Sequence, residues 1–151
     1  VISRPGYEML INTSIEKAHY FAQLIEQQAD FELVTQPELC LLTYRYNPSS
    51  VQALLAVATE DEQESINNLL DKLTKFVQKR QRENGKSFVS RTRIEVQKYN
   101  GRKTLVFRVV LANPLTTKTI LQDVLAEQTL LAQESETFLP TLLSMAQAKA
   151  V

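Results

Sequence analysis

The stretch Leu105–Thr117, LVFRVVLANPLTT, constrains this chain most strongly, because it joins an alternating apolar strand to a breaker and a helix start. Strand periodicity puts Leu105, Phe107, Val109 and Leu111 on one face, and Thr104, Val106, Arg108 and Val110 on the other. The first face is wholly apolar and is expected to pack on the chain's own helices. The second holds Arg108 among valines, where a guanidinium without a partner is costly to bury. Three resolutions stay open at this point: an anion from outside, an internal Asp or Glu, or simple exposure.

Local signals set the elements around this strand. Residues from about Tyr7 to Ala29 are predicted helical, since Ile11, Ile15, Ala18, Ala22, Ile25 and Ala29 recur at three- and four-residue steps after a Pro5-Gly6 turn. Two strands, Phe31–Thr35 and Leu39–Tyr46, are expected around Pro37, and Asn47-Pro48-Ser49-Ser50 ends the second. Val51–Thr59 is apolar, and composition leaves it open between a helix and an irregular cover. From about Glu62 to Glu83, Ile66, Leu69, Leu70, Leu73, Phe76 and Val77 form one helical stripe. Its start is acidic, its end is basic, and Asn84-Gly85 stops it.

Strands Ser87–Lys98 and Arg102–Ala112 flank Tyr99-Asn100-Gly101, and Asn-Gly is a strong hairpin signal. Asn113-Pro114 breaks the last strand. Thr116 or Thr117 then caps a helix carrying Ile120, Leu121, Val124, Leu125 and Leu131, and a short helix over Leu139–Ala148 lies in a helical tail spanning 132–151. The order α-β-β-α-β-β-α predicts an α+β fold, a four-stranded antiparallel sheet with helices packed on one face. The other face, with Arg108, Thr104, Ser90 and Thr92, is then uncovered. A face this rich in valine is expected to meet another domain or subunit rather than water.

With 151 residues, 44% of them hydrophobic, there is material for one core, so 1–151 reads as a single domain. The chain begins at Val1 and its first methionine is Met9, so it is expected to be processed or part of something longer. Val1–Pro5 lacks the apolar run of a signal peptide, and no stretch approaches the ~20 apolar residues of a membrane helix. Lys+Arg and Asp+Glu both number 17, so no basic field argues for nucleic acid or an anionic membrane. Cys40 is the sole cysteine, reads as a small buried apolar residue, and fits a reducing cytoplasm.

Other motifs lose on chemistry. Gly85-Lys86-Ser87 lacks the first glycine of a phosphate-binding loop, because Arg80 stands there, and a strand follows where a helix is needed. In the same segment only Phe88 could stack a base. His19 is the single histidine, so a metal site is not expected. Asn12-Thr13-Ser14 is a formal glycosylation sequon inside a predicted helix. Arg91 and Arg93 are expected on a solvated or inter-domain face, with anion binding the alternative.

Several segments together resemble one family. Gly6–Pro48, GYEMLINTSIEKAHYFAQLIEQQADFELVTQPELCLLTYRYNP, resembles the start of the C-terminal small domain of the group II pyridoxal-phosphate-dependent decarboxylases. Ser87–Ile94 (SFVSRTRI) and Thr104–Thr117 (TLVFRVVLANPLTT) resemble that domain's last hairpin, and Ile120–Gln128 (ILQDVLAEQ) the helix after it. The resemblance implies the small C-terminal domain of a fold type I enzyme, packed on a large domain that holds pyridoxal phosphate, in a homodimer. It implies that the Schiff-base lysine, in a His-Lys pair, lies in the large domain, because Tyr20 follows His19 here. It implies that Arg108 binds a carboxylate of the amino-acid substrate, and that the isolated chain is inactive. The run FRVVLANP is nearer the glutamate and aspartate enzymes, giving GABA or β-alanine as product. A 2,4-diaminobutyrate decarboxylase domain and a stand-alone α+β binding or dimerisation module are the alternatives.

Overall fold

The computed structural model describes residues 3–87 and 89–150; Phe88 and its stacking role lie outside the described residues, as do the termini. Strands β1 (Phe31–Glu38), β2 (Leu41–Tyr46), β3 (Ser90–Val96) and β4 (Arg102–Val110) form one antiparallel sheet in the order β1-β2-β4-β3. Tyr44 pairs with Phe107 and Leu42 with Val109, which joins the apolar face of β4 to alternate residues of β2. Helices α1 (Arg4–Gln27), α3 (Glu60–Asn84) and α4 (Lys118–Gln133) cover that face. Helices α2 (Ser49–Val57) and α5 (Phe138–Ala150) pack on each other and on α3. This is the α+β arrangement expected from the element order.

The core lies between sheet and helices, where Phe21, Ile25, Tyr44, Leu70, Leu73, Phe107 and Leu142 are fully buried. The Phe21 ring meets Tyr44 edge-on at 5.4 Å. A directed run of hydrogen bonds pairs several of the polar groups trapped here. Tyr44 donates to Gln128 Oε1 at 2.8 Å, Gln128 to Gln81 Oε1 at 3.2 Å, Gln81 to Ser87 Oγ at 2.9 Å, and Ser87 to Glu127 Oε2 at 3.0 Å. Burial drives the Tyr44 hydroxyl's pKa upward, so it stays a donor.

Helix ends follow local chemistry. Thr59 Oγ1 accepts from the Glu62 amide, Thr117 Oγ1 from the Ile120 amide, and Gly85 closes α3 at φ 70°. Asn100 and Gly101 are both left-handed, at φ 57° and 76°, and turn the β3–β4 hairpin. Val51–Thr59 resolves mostly as helix α2. The β1–β2 turn falls at Leu39-Cys40 rather than around Pro37. Pro37 is accommodated because β1 is an edge strand, where a missing amide need not break a ladder bond. Pro5 and Gly6 lie inside the first turn of α1 instead of before it. Ile11, placed in the α1 stripe by its spacing, is 54% exposed, and the buried residues of that helix, Ala18, Phe21, Ala22 and Ile25, all lie in its second half.

Candidate functional site

β4 presents Arg108 on the sheet face away from the helices, opposite Thr43 of β2 and Ser90 of β3. Val106 and Val110 precede and follow it on the same side of the strand. Ser90 Oγ donates to the Arg108 carbonyl oxygen at 3.0 Å, which fixes the backbone beneath the side chain. The Thr43 and Thr35 hydroxyls lie 2.8 Å apart, and the Thr43 amide donates to Thr35 Oγ1 at 3.1 Å. Arg108 is exposed and forms no ion pair among the described residues. The internal Asp or Glu is therefore removed from the three resolutions, leaving exposure and an external anion.

The far half of this face is closed rather than bare. The turn after β3 carries Tyr99 back over Arg45, whose guanidinium carbon lies 5.2 Å from the ring centroid. Arg45, Thr104 and Val106 are fully buried there. Arg45 Nε donates to Glu32 Oε1 at 2.6 Å and its Nη2 to the Tyr99 hydroxyl at 3.0 Å. Tyr99 donates in turn to Glu32 Oε2 at 2.8 Å, and Asn47 Nδ2 to Glu32 Oε1 at 3.1 Å. Burial raises the pKa of the Glu32 carboxyl, but the Arg45 charge and the donors from Arg45, Tyr99 and Asn47 outweigh it and hold the group below its ordinary range. This cluster was not singled out from the sequence, although LLTYRY carries the same signal as the Arg108 strand, one arginine in an apolar run.

Arg91 and Arg93 do not join Arg108. Their register opposite Phe107 and Leu105 turns them toward the helix layer. Arg91 reaches the Lys75 carbonyl at 3.4 Å, and Arg93 reaches Asp71 at 3.3 Å. Asp71 also accepts from Arg102 at 3.0 Å and from the Leu105 amide at 3.0 Å, so these charges anchor α3 to the hairpin. Arg93 keeps 56% of its side chain exposed and Arg91 is half-buried, so the solvated face expected for them is met at Arg93 and only partly at Arg91. Cys40 is half-buried rather than buried. It sits beside Leu39 (φ 54°) and lines an apolar groove of about 380 Å³ with Tyr7, Ile11 and Ala112.

Lys86 and Ser87 share a cavity of about 400 Å³ with Asp123 and Glu127, two carboxylates that disfavour a phosphate. His19 is exposed on α1. Among the described residues no group of three or more His, Cys, Asp or Glu could hold a metal, and no helix is long and apolar enough to cross a membrane. The chain contains no His-Lys pair.

No family model matches this chain. An aspartate 1-decarboxylase of Aliivibrio fischeri (strain ATCC 700601 / ES114) is 67% identical over 142 residues, which cover 94% of this chain and 26% of that protein. The chain thus spans about a quarter of the relative it matches. Among solved structures, mouse CSAD in apo form superposes with a TM-score of 0.71 at 22% identity, over 87% of this chain and 25% of that one. Oryza sativa TDC with PLP and tryptamine gives 0.63 at 19%, over 88% and 24%. The glutamate decarboxylase domain of diaminobutyrate-pyruvate transaminase and L-2,4-diaminobutyrate decarboxylase from Vibrio parahaemolyticus gives 0.61 at 18%, over 83% and 22%. At these identities the likeness establishes a shared fold.

Proposed function

We propose that this chain is the small domain of a longer, pyridoxal-phosphate-dependent amino-acid decarboxylase, a cytoplasmic homodimer, in which Arg108 binds a substrate carboxylate. The observation that carries this reading is an exposed arginine with no counter-charge among the described residues, set between two valines on a sheet face. The 67% identity to a protein named aspartate 1-decarboxylase makes aspartate the first substrate, with glutamate next. A second reading, 2,4-diaminobutyrate as substrate, draws on the likeness to the Vibrio parahaemolyticus structure.

Pyridoxal phosphate, when bound, supplies an electron sink for the bond to the departing carboxylate. With no His-Lys pair in this sequence, the group that tethers the cofactor is assigned to the rest of the longer polypeptide. The contribution of this chain is orientation. A guanidinium presents a planar fork that grips a carboxylate through two parallel hydrogen bonds, and a lysine holds it as a point charge. The flanking valines and the Ser90 bond to the Arg108 carbonyl limit where that fork can stand. Closure of a second domain over this face removes water, which strengthens the ion pair.

The test is the full-length gene product purified from its own cells. A yellow protein that loses its visible band on borohydride treatment and releases carbon dioxide fastest from aspartate is the expected result. Fastest turnover of 2,4-diaminobutyrate moves the substrate to the second reading. A colourless enzyme with a covalently held pyruvoyl group overturns the pyridoxal phosphate assignment, and no carbon dioxide from any amino acid overturns the decarboxylase.

A further inference from the structure

We propose that the apolar groove between α1 and the β1–β2 turn seats the part of the longer polypeptide that precedes Val1, an inference that rests on the reading above and names a second surface of contact. Tyr7, Ile11 and Ile15 stand four residues apart and continue one helical stripe into Ala18, Ala22 and Ile25. The second half of that stripe is buried under the chain's own fold, and the first half overruns it. Tyr7, Met9, Ile11 and Leu39 are each more than half exposed. Tyr7, Ile11, Ile15, Leu39, Cys40 and Ala112 line a groove of about 380 Å³, with no charged side chain in its wall among the described residues. From Pro5 to Ile15 the single charge is Glu8, which Arg4 pairs at 3.4 Å. Depletion of charge beside Tyr and Met is the composition of an interface core rather than of a wetted helix.

The lining chemistry selects the kind of occupant. Small-molecule sites carry a few polar groups that fix a ligand's orientation. Here the Ser14 hydroxyl donates to the Leu10 carbonyl at 3.0 Å, and the Cys40 carbonyl accepts from the Leu111 amide at 2.8 Å. What the groove offers is apolar area, which another polypeptide face matches. The Aliivibrio fischeri relative is covered over 26% of its length, so about three quarters of such a polypeptide is left to supply that face. In the proposed enzyme it joins ahead of Val1, six residues from Tyr7 and ten from Ile11. A short tether of this kind gives an effective concentration on the order of millimolar, which a second copy in dilute solution does not match. The Leu39-Cys40 turn also adjoins the Arg108 face, because the next residue, Leu41, pairs with Val110. One body can cover the groove and that face together.

The experiment places the photo-crosslinker p-benzoylphenylalanine at position 11 of the full-length protein, irradiates it, and maps the crosslinked peptides by mass spectrometry. The expected product joins position 11 to a peptide that precedes Val1, in a polypeptide of unchanged mass on a denaturing gel. A covalent dimer of doubled mass assigns the groove to a second copy and overturns the inference. So does irradiation that yields no crosslink, which leaves the face in water. If that variant does not accumulate, the same crosslinker at position 39 reads the groove from the β1–β2 turn. A second readout is energetic. Ile11→Glu would be near neutral on an open surface, and beneath a covering segment it is expected to lower the full-length thermal midpoint by several degrees. The same variant is expected to speed alkylation of Cys40 by N-ethylmaleimide about tenfold, through local opening of the contact. An unchanged midpoint and an unchanged rate overturn the inference. Arg108→Lys assayed with aspartate separates the two layers. If it is impaired while position 11 crosslinks to a second copy or to nothing, only the groove assignment falls; if Arg108→Lys keeps wild-type kcat and KM, the carboxylate reading falls whatever the crosslink shows.

Discussion

Removing the Glu32 carboxylate would leave the Arg45 guanidinium, 0% exposed, without a counter-charge. Glu32→Ala is therefore expected to cost about 3–5 kcal/mol, the loss typical of breaking one side of a buried ion pair, measured by urea unfolding. The same group sets a pH dependence. Its folded pKa lies below the unfolded value of 4.5, so its stabilisation is complete above that pH and fades as pH falls through the folded value. The thermal midpoint of wild type should fall more steeply below pH 4.5 than that of Glu32→Gln, and equal slopes would contradict this. Arg45 and Arg108 carry the same signature, one arginine in an apolar strand, yet one is sealed and the other is exposed. Local pattern made Arg108 visible as a candidate. It could not separate the two, because Arg45 is neutralised from 13 residues away and capped by a tyrosine 54 residues on. Only the folded chain brings those groups together.

The helix ends make separate predictions. Gly85→Ala should cost about 1 kcal/mol, because an added Cβ meets nothing within 4 Å and the penalty is the left-handed backbone at φ 70° alone. Thr117→Ala should cost about 1 kcal/mol by removing the hydroxyl that accepts from the Ile120 amide, and chemical denaturation measures both. These stops and caps were legible because their signals act within a turn of chain. The hairpin at Asn100-Gly101 was legible for the same reason. Less local features were missed. The β1–β2 turn moved from Pro37 to Leu39-Cys40 because an edge strand tolerates a proline, and edge position depends on sheet order. Periodicity likewise marks an apolar face on α1 at Ile11 without saying whether a neighbour covers it.

For the whole molecule, the element order was enough to give the antiparallel sheet and its single helix layer. It did not show that the other face is closed over Arg45 and left open at Arg108, since that division comes from one tyrosine folding back from a hairpin turn. The open remainder has apolar neighbours: Val110 is 49% exposed, and Leu39, at the β1–β2 turn, is 70% exposed. This is the surface that the proposed second domain would cover. The isolated 151-residue chain, which lacks a His-Lys pair, is accordingly expected to stay colourless with pyridoxal phosphate and to release no carbon dioxide from aspartate. A visible band stable to dialysis, or turnover by this chain alone, would show that it holds the cofactor itself.

The most direct measurement is kcat/KM for aspartate in the full-length enzyme carrying Arg108→Lys. Replacing the fork by a point charge should lower it at least tenfold, from the loss of about 1.5–3 kcal/mol of charge-assisted hydrogen bonding. The thermal midpoint should hold, because the side chain is exposed and forms no ion pair among the described residues. Wild-type kcat and KM in that variant would mean that Arg108 does not grip the substrate carboxylate.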